Sequence, residues 1–151
     1  MARPLGGAQL ADEMSGLAEA GVDVLVSLLT DAEMASLELL GEAEAAQASG
    51  LTFYRLPTED RQVPDLAAGL DLAGTLRAHL DRGNGVAIHC RHGIGRSSTL
   101  AAMVLLLEGV QPQDAFALIS DARGMTVPDT VAQLEAVADL RADGLDTHSA
   151  G

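Results

Sequence analysis

The sequence predicts an α/β domain with a mainly parallel central sheet flanked by helices. Three short apolar runs, from Val22 to Leu29, Leu51 to Leu56 and Gly85 to His89, alternate with longer segments of helical periodicity. Strands separated by helices favour parallel pairing, because a parallel crossover has to span the sheet. The third run leads directly into "CRHGIGRSS" and then an apolar helical stretch. Such a strand-to-helix turn is where ligands bind in folds of this class.

The elements follow in order. "QLADEMSGLAEAG" sets Leu10, Met14 and Leu17 on one helical stripe and stops at Gly21. "VDVLVSLL" is β-branched and apolar, the pattern of a buried strand. Asp31 is expected to cap one helix running through "AEMASLELLGEAEAAQA", with its glutamates facing solvent. "LTFYRL" reads as a second strand and the turn-rich "PTEDRQVPD" follows it. A helix from Asp65 to Asp81 ends at Gly83, and "GVAIH" is the third strand. A buried helix to Gly109 comes next, then one begun by Pro112 and one begun near Pro128 and Asp129. The chain shows no internal repeat or linker and reads as one domain over residues 1–151, with 143–151 a frayed tail.

A domain of 151 residues buries roughly 70 % of its unfolded surface and needs no staple. Its single cysteine, Cys90, allows no internal disulfide and no second, resolving thiol. "MARPLGGAQLADEM" lacks the apolar core of a signal peptide, and no apolar run approaches the ~20 residues that span a bilayer. The expectation is a cytoplasmic protein. Net charge is −13 and all nine basic residues are arginines, a field that repels nucleic acid and anionic lipid. An anionic ligand would need one local positive spot.

The loop supplies one. Gly93 and Gly95 let successive backbone N–H groups turn inward, and Arg96 offers a two-pronged grip on a tetrahedral oxyanion. The phosphate-binding loop is accordingly Arg91, His92, Gly93, Ile94, Gly95 and Arg96. Cys90 stands at its start, where N–H groups, a helix N-terminus and an arginine stabilise a thiolate nucleophile. A Walker loop is excluded because the chain has no lysine, and the dinucleotide fingerprint because position 98 is Ser98. No cluster of residues has metal-ligand spacing, so neither metal nor cofactor is expected.

"HCRHGIGRSS" resembles the signature of the cysteine-based protein tyrosine phosphatases: His-Cys, five residues, Arg, then Ser or Thr, with Gly-x-Gly inside. The similarity is greatest to the compact dual-specificity-like branch and covers roughly residues 20–140. It implies that Asp60, within the Pro57, Asp60, Pro64 pattern, is the general acid, with adjacent Glu59 the runner-up. It also implies that His89 holds the loop in shape, Ser97 eases departure of the cysteine sulfur, and Gln133 positions the hydrolytic water. The implied reaction is two-step phosphomonoester hydrolysis through a cysteinyl-phosphate, on phosphotyrosine or phosphoserine/threonine proteins.

Substrate choice is less constrained. The aromatic residues Phe53, Tyr54 and Phe116 sit where core packing is expected, so the pocket should be shallow. Arg91 and His92 keep inositol phosphates or other small polyanionic phosphoesters as an alternative. A rhodanese-like sulfurtransferase leaves Asp60 and Ser97 unexplained, and an arsenate reductase of this loop type uses further thiols. A phosphate-binding module without catalysis is the non-enzymatic alternative. A monomer is the expected unit.

Overall fold

The computed structural model describes residues 1–142, with side chains to residue 140; the tail expected over 143–151 lies outside the described residues. A 3-10 turn, Gly7–Gln9, precedes helix α1 (Leu10–Glu19) and strand β1 (Val22–Ser27). Helices α2 (Asp31–Ser36) and α3 (Glu42–Ala48) lead to strand β2 (Thr52–Arg55), α4 (Leu66–Asp81) and strand β3 (Gly85–His89). Helices α5 (Arg96–Leu107), α6 (Pro112–Arg123) and α7 (Val131–Ala142) complete the described chain.

The three strands form a wholly parallel sheet in the order β2-β1-β3. Ser27 at the end of β1 lies opposite both Arg55 and His89, so the carboxyl ends of all three strands open on one side. Side chains alternate across a strand, and the core divides accordingly. Val24 and Val26 pack with Ala73 of α4 and Leu100 and Met103 of α5. Leu25 faces the other way, onto Leu10 and Met14 of α1, Met34 of α2 and Ala46 of α3. Helices therefore cover both faces, as the alternating pattern predicts.

Helix α5 is apolar on most sides because it is buried twice. Leu100 and Met103 meet the sheet, whereas Ala102 and Leu106 meet Phe116 of α6 and Val137 of α7. Its buried position fixes the loop that precedes it. Asp65 caps α4, accepting from the Ala68 N–H at 2.8 Å.

The segment after β1 departs from expectation in three ways. Thr30, not Asp31, is the cap, its hydroxyl oxygen accepting from Glu33 N–H at 3.2 Å, while Asp31 pairs with Arg55. The expected single helix is two, because Glu38 adopts a left-handed φ of 57° and Leu39 N–H turns back to Met34 O at 2.8 Å. This break drops Leu39 into the core, fully buried, and restarts the helix at Glu42. Finally, the glutamates do not all face solvent: Glu42 is 0 % exposed and the Glu33 side chain only 14 %. They bond the two residues that flank the loop after β3, Glu42 to His89 and Glu33 to Arg96.

Candidate active site

Three chain segments leave the carboxyl ends of the strands, and two of them, with Asp129 from the segment before α7, line one cavity. β1 continues to Thr30 and α2, β2 to the 56–65 segment, and β3 to the loop from Cys90 to Arg96. The cavity measures 290 Å³ and is lined by Asp60, Arg61, Cys90, His92, Ile94, Gly95, Arg96 and Asp129.

Cys90 Sγ accepts from the Gly93 N–H at 3.3 Å and lies 3.4 Å from Ser97 Oγ. Gly93 holds φ at 73°, a left-handed value that turns its N–H onto the sulfur and favours glycine. Burial opposes ionisation of the thiol. The Ser97 hydroxyl, the N–H groups of Ser97 and Gly93, and the charge of Arg96 outweigh it, so the thiol is held below its ordinary range.

Arg96, 1 % exposed, is pinned on several sides. Its Nη1 donates to Glu33 Oε1 at 2.7 Å and to Thr58 O at 2.8 Å, and its Nη2 to Glu33 Oε2 at 3.0 Å. Asp60 Oδ1 is 3.3 Å from the same Nη2. Burial works against this cation, but hydrogen bonds and charge from Glu33, with the charges of Cys90 and Asp60, raise its pKa still further. A bidentate carboxylate fixes the plane of a guanidinium, which Lys could not imitate.

The residues singled out from the sequence do not share one role in space. Asp60 lies in the cavity lining with its side chain 59 % exposed, whereas Glu59 is exposed and outside that lining. His92 and Ile94 line the cavity; the Arg91 side chain is exposed and does not. His89 is fully buried, with Nδ1 3.1 Å from the Cys90 carbonyl oxygen and Nε2 2.5 Å from Glu42 Oε1.

Gln133 is fully buried and joins two segments that border the cavity. Its Oε1 accepts from the N–H groups of Asp129 and Thr130 at 3.2 and 3.1 Å, and its Nε2 donates to Gln62 O at 3.0 Å. Arg61 and Asp129 pair at 3.3 Å alongside. Gly95 makes this fit possible: a Cβ there would lie 2.9 Å from both Asp129 Cβ and the Gln133 amide.

Phe116 is in the core, Phe53 and Tyr54 are half-buried against it, and no Phe or Tyr ring lines the cavity. Sequence reasoning missed Glu33, Glu42 and Asp129. Glu33 carried one usable signal, its place three residues after a Thr, which seats its side chain beside the cap.

Among known proteins, the rat cyclin-dependent kinase inhibitor 3 is 25 % identical over 127 residues, covering 83 % of this chain and 60 % of that protein. The chain thus spans about 60 % of the length of that curated relative. A solved structure of kinase associated phosphatase, with its catalytic-site cysteine replaced by serine, superposes with a TM-score of 0.85 at 22 % identity, over 99 % of this chain and 86 % of that one. PTPMT1 in complex with PI(5)P gives 0.79 at 20 % identity, over 99 % and 92 %. The shared fold is that of the compact cysteine-based phosphatases. A family model described as "Polymorphic toxin system, DSP-PTPase phosphatase" matches residues 1–110, and to that family this chain belongs.

Proposed function

We propose that the chain is a metal-independent phosphomonoester hydrolase acting through a cysteinyl-phosphate, with phosphorylated protein side chains, phosphotyrosine foremost, as substrates. The observation that carries this reading is one contact set: a thiol lowered by Ser97 and Gly93, with the pinned guanidinium of Arg96 and the carboxyl of Asp60 on the same cavity.

In the first step Cys90 Sγ forms a bond to phosphorus as the ester P–O bond breaks. Arg96 and the loop N–H groups hold the equatorial oxygens, and Asp60 gives its proton to the leaving oxygen. In the second step Asp60 takes a proton from water, the water oxygen bonds to phosphorus, and the S–P bond breaks to return the thiolate. Ser97, 3.4 Å from the sulfur, supports it as a leaving group.

Gln133 holds Gln62 and residues 129–130 around the cavity, and with its amide so engaged its contribution to water placement acts through those segments. The lone thiol suits a reducing compartment, so the cytosol is the proposed place of action, and one chain contains every group named.

A second reading, small polyanionic phosphoesters, is favoured by His92 and Arg61 on the cavity wall beside Arg96. A phosphate-binding module without turnover leaves the lowered thiol and Asp60 without work. The test is hydrolysis of p-nitrophenyl phosphate in EDTA, inhibited by vanadate and lost in Cys90→Ser and Arg96→Ala. Full activity in Cys90→Ser would sink the mechanism. Capture by Asp60→Ala then separates phosphotyrosine peptides from inositol polyphosphates.

A further inference from the structure

The first residues of the chain enter none of these steps, yet they lie against the loop that does. β3 is an edge of the sheet, and β1 is its one strand partner among the described residues. His89 O is turned toward β1, where it accepts from Leu28 N–H at 3.0 Å. Successive carbonyls of a strand point to opposite sides, so Ile88 O faces the open edge. Met1 N donates to that oxygen at 2.7 Å, and Arg3 N–H donates to Arg91 O at 3.2 Å. Both bonds advance in the same direction along the two chains. Residues 1–3 therefore run parallel to β3 and follow it past its end into the anion loop.

What they meet there is Gly93. A Cβ on Gly93 would overlap the Met1 carbonyl carbon and oxygen and lie 2.7 Å from Ala2 N, so the Met1–Ala2 peptide rests on its Cα. Arg123 donates to the Gly93 carbonyl oxygen, and Gly93 N–H donates to Cys90 Sγ at 3.3 Å. Gly93 is thus held at its Cα and its oxygen, and its remaining group is the one aimed at the thiol. Glycine populates both signs of φ, so a loop that needs 73° at this residue does not by itself keep it there. The segment that rests on it is anchored further along: Pro4 is buried, and Gly7 N–H donates to Glu38 O at 2.9 Å, at the break between α2 and α3.

We propose that residues 1–3 are a positioning strap for the phosphate loop, whose main-chain groups hold the Gly93 peptide with its N–H on Cys90 Sγ. The inference rests on Cys90 as the nucleophile of the proposed reaction and adds the device that keeps its loop in the thiolate-binding form.

Arg3→Pro removes the N–H that Arg91 O receives and puts a ring carbon in its place, which lifts the strap. Arg3→Ala keeps the N–H and removes only the guanidinium, whose described bond is to Pro4 O. In Arg3→Pro the midpoint of iodoacetamide alkylation of the sole cysteine, followed across pH, should rise by about one unit through loss of one N–H bond to the thiolate. Vanadate inhibition should weaken on the order of tenfold, and exchange of the Gly93 amide hydrogen should quicken with it. Arg3→Ala should match the native chain in all three readings.

Arg96 and the Met1 amino group act on the thiol through space, with Asp60 facing Arg96 and Arg123 facing Gly93. Lifting the strap displaces the Met1 group as well, and the Gly93 amide separates the two causes: a raised midpoint with that amide still protected overturns the proposal. So does an unchanged midpoint in a folded Arg3→Pro, whatever its melting temperature. If that variant fails to fold, the native chain decides. Its Arg3 and Gly93 amides should both be protected, and an Arg3 N–H exchanging as fast as that of a free peptide overturns the strap. A chain that hydrolyses no phosphoester would sink the catalytic reading while leaving the alkylation midpoint and the two amides to decide this one.

Discussion

Glu33→Gln isolates the carboxylate that holds Arg96. In the native chain Oε1 and Oε2 receive Nη1 and Nη2 at 2.7 and 3.0 Å, a parallel two-bond fork on a guanidinium that is 1 % exposed. Glutamine keeps one acceptor and turns an N–H toward the other guanidinium nitrogen, donor against donor. The buried cation then retains Thr58 O at 2.8 Å and the mostly exposed Asp60 carboxylate at 3.3 Å.

Breaking a buried pair by removing one partner costs about 3–5 kcal/mol. The surviving acceptors put this case near the lower end, about 3 kcal/mol. For a chain of this size each kcal/mol moves Tm by roughly 2–4 °C, so thermal unfolding should fall by about 6–12 °C. A guanidinium free to rotate is also misplaced for the equatorial oxygens, and kcat/KM should drop on the order of 10²-fold. Calorimetry and p-nitrophenyl phosphate kinetics read the two effects on one preparation. An unfolding curve within about 0.5 kcal/mol of the native chain would refute the reasoning, because that is the range of an ordinary surface substitution.

Two further outcomes follow from the same cavity. Asp60→Asn should slow phosphotyrosine hydrolysis by on the order of 10² to 10⁴, and an ester with an activated leaving group much less. Glu59→Gln, outside the cavity lining, should retain the basic limb of the pH profile, and its loss in that variant would reassign the acid. The lowered Cys90 thiol predicts that kcat/KM rises through an acid limb below the ordinary thiol range of about 8.5. The same depressed folded value adds stability that is fully present above the unfolded thiol pKa and lost as pH falls through the folded one. Urea unfolding should therefore show the advantage of the native chain over Cys90→Ser shrinking as pH is lowered, and a pH-independent difference would contradict it.

The strands and the anion loop were legible in the sequence because their signals are local. β-branched runs mark β1 to β3, and Cys90, Gly93, Gly95 and Arg96 are close neighbours in the chain. The partners that set the loop are not local. Glu33 is 63 residues from Arg96 and Glu42 is 47 from His89, so each looks like another surface acid on a helix. The break between α2 and α3 was hidden for a different reason: the left-handed residue is Glu38, where no glycine marks the turn. Gln133 could be matched by resemblance, but its burial depends on Gln62, 71 residues away.

The two links from the 56–65 segment to the start of α7, Gln133 to Gln62 and Arg61 to Asp129, bear on the timing of turnover. A catalytic segment that hangs free must be ordered anew for each substrate, and its swing becomes a gate on the cycle. Here the ordering is completed once, when the chain folds. On the proposed mechanism the cleft is preset, and closure is not expected to limit the rate. The cost falls on breadth: a cleft stapled across its rim has little give for ligands that differ in girth. Loosening the staples should widen the range of esters accepted while weakening hold on the best of them.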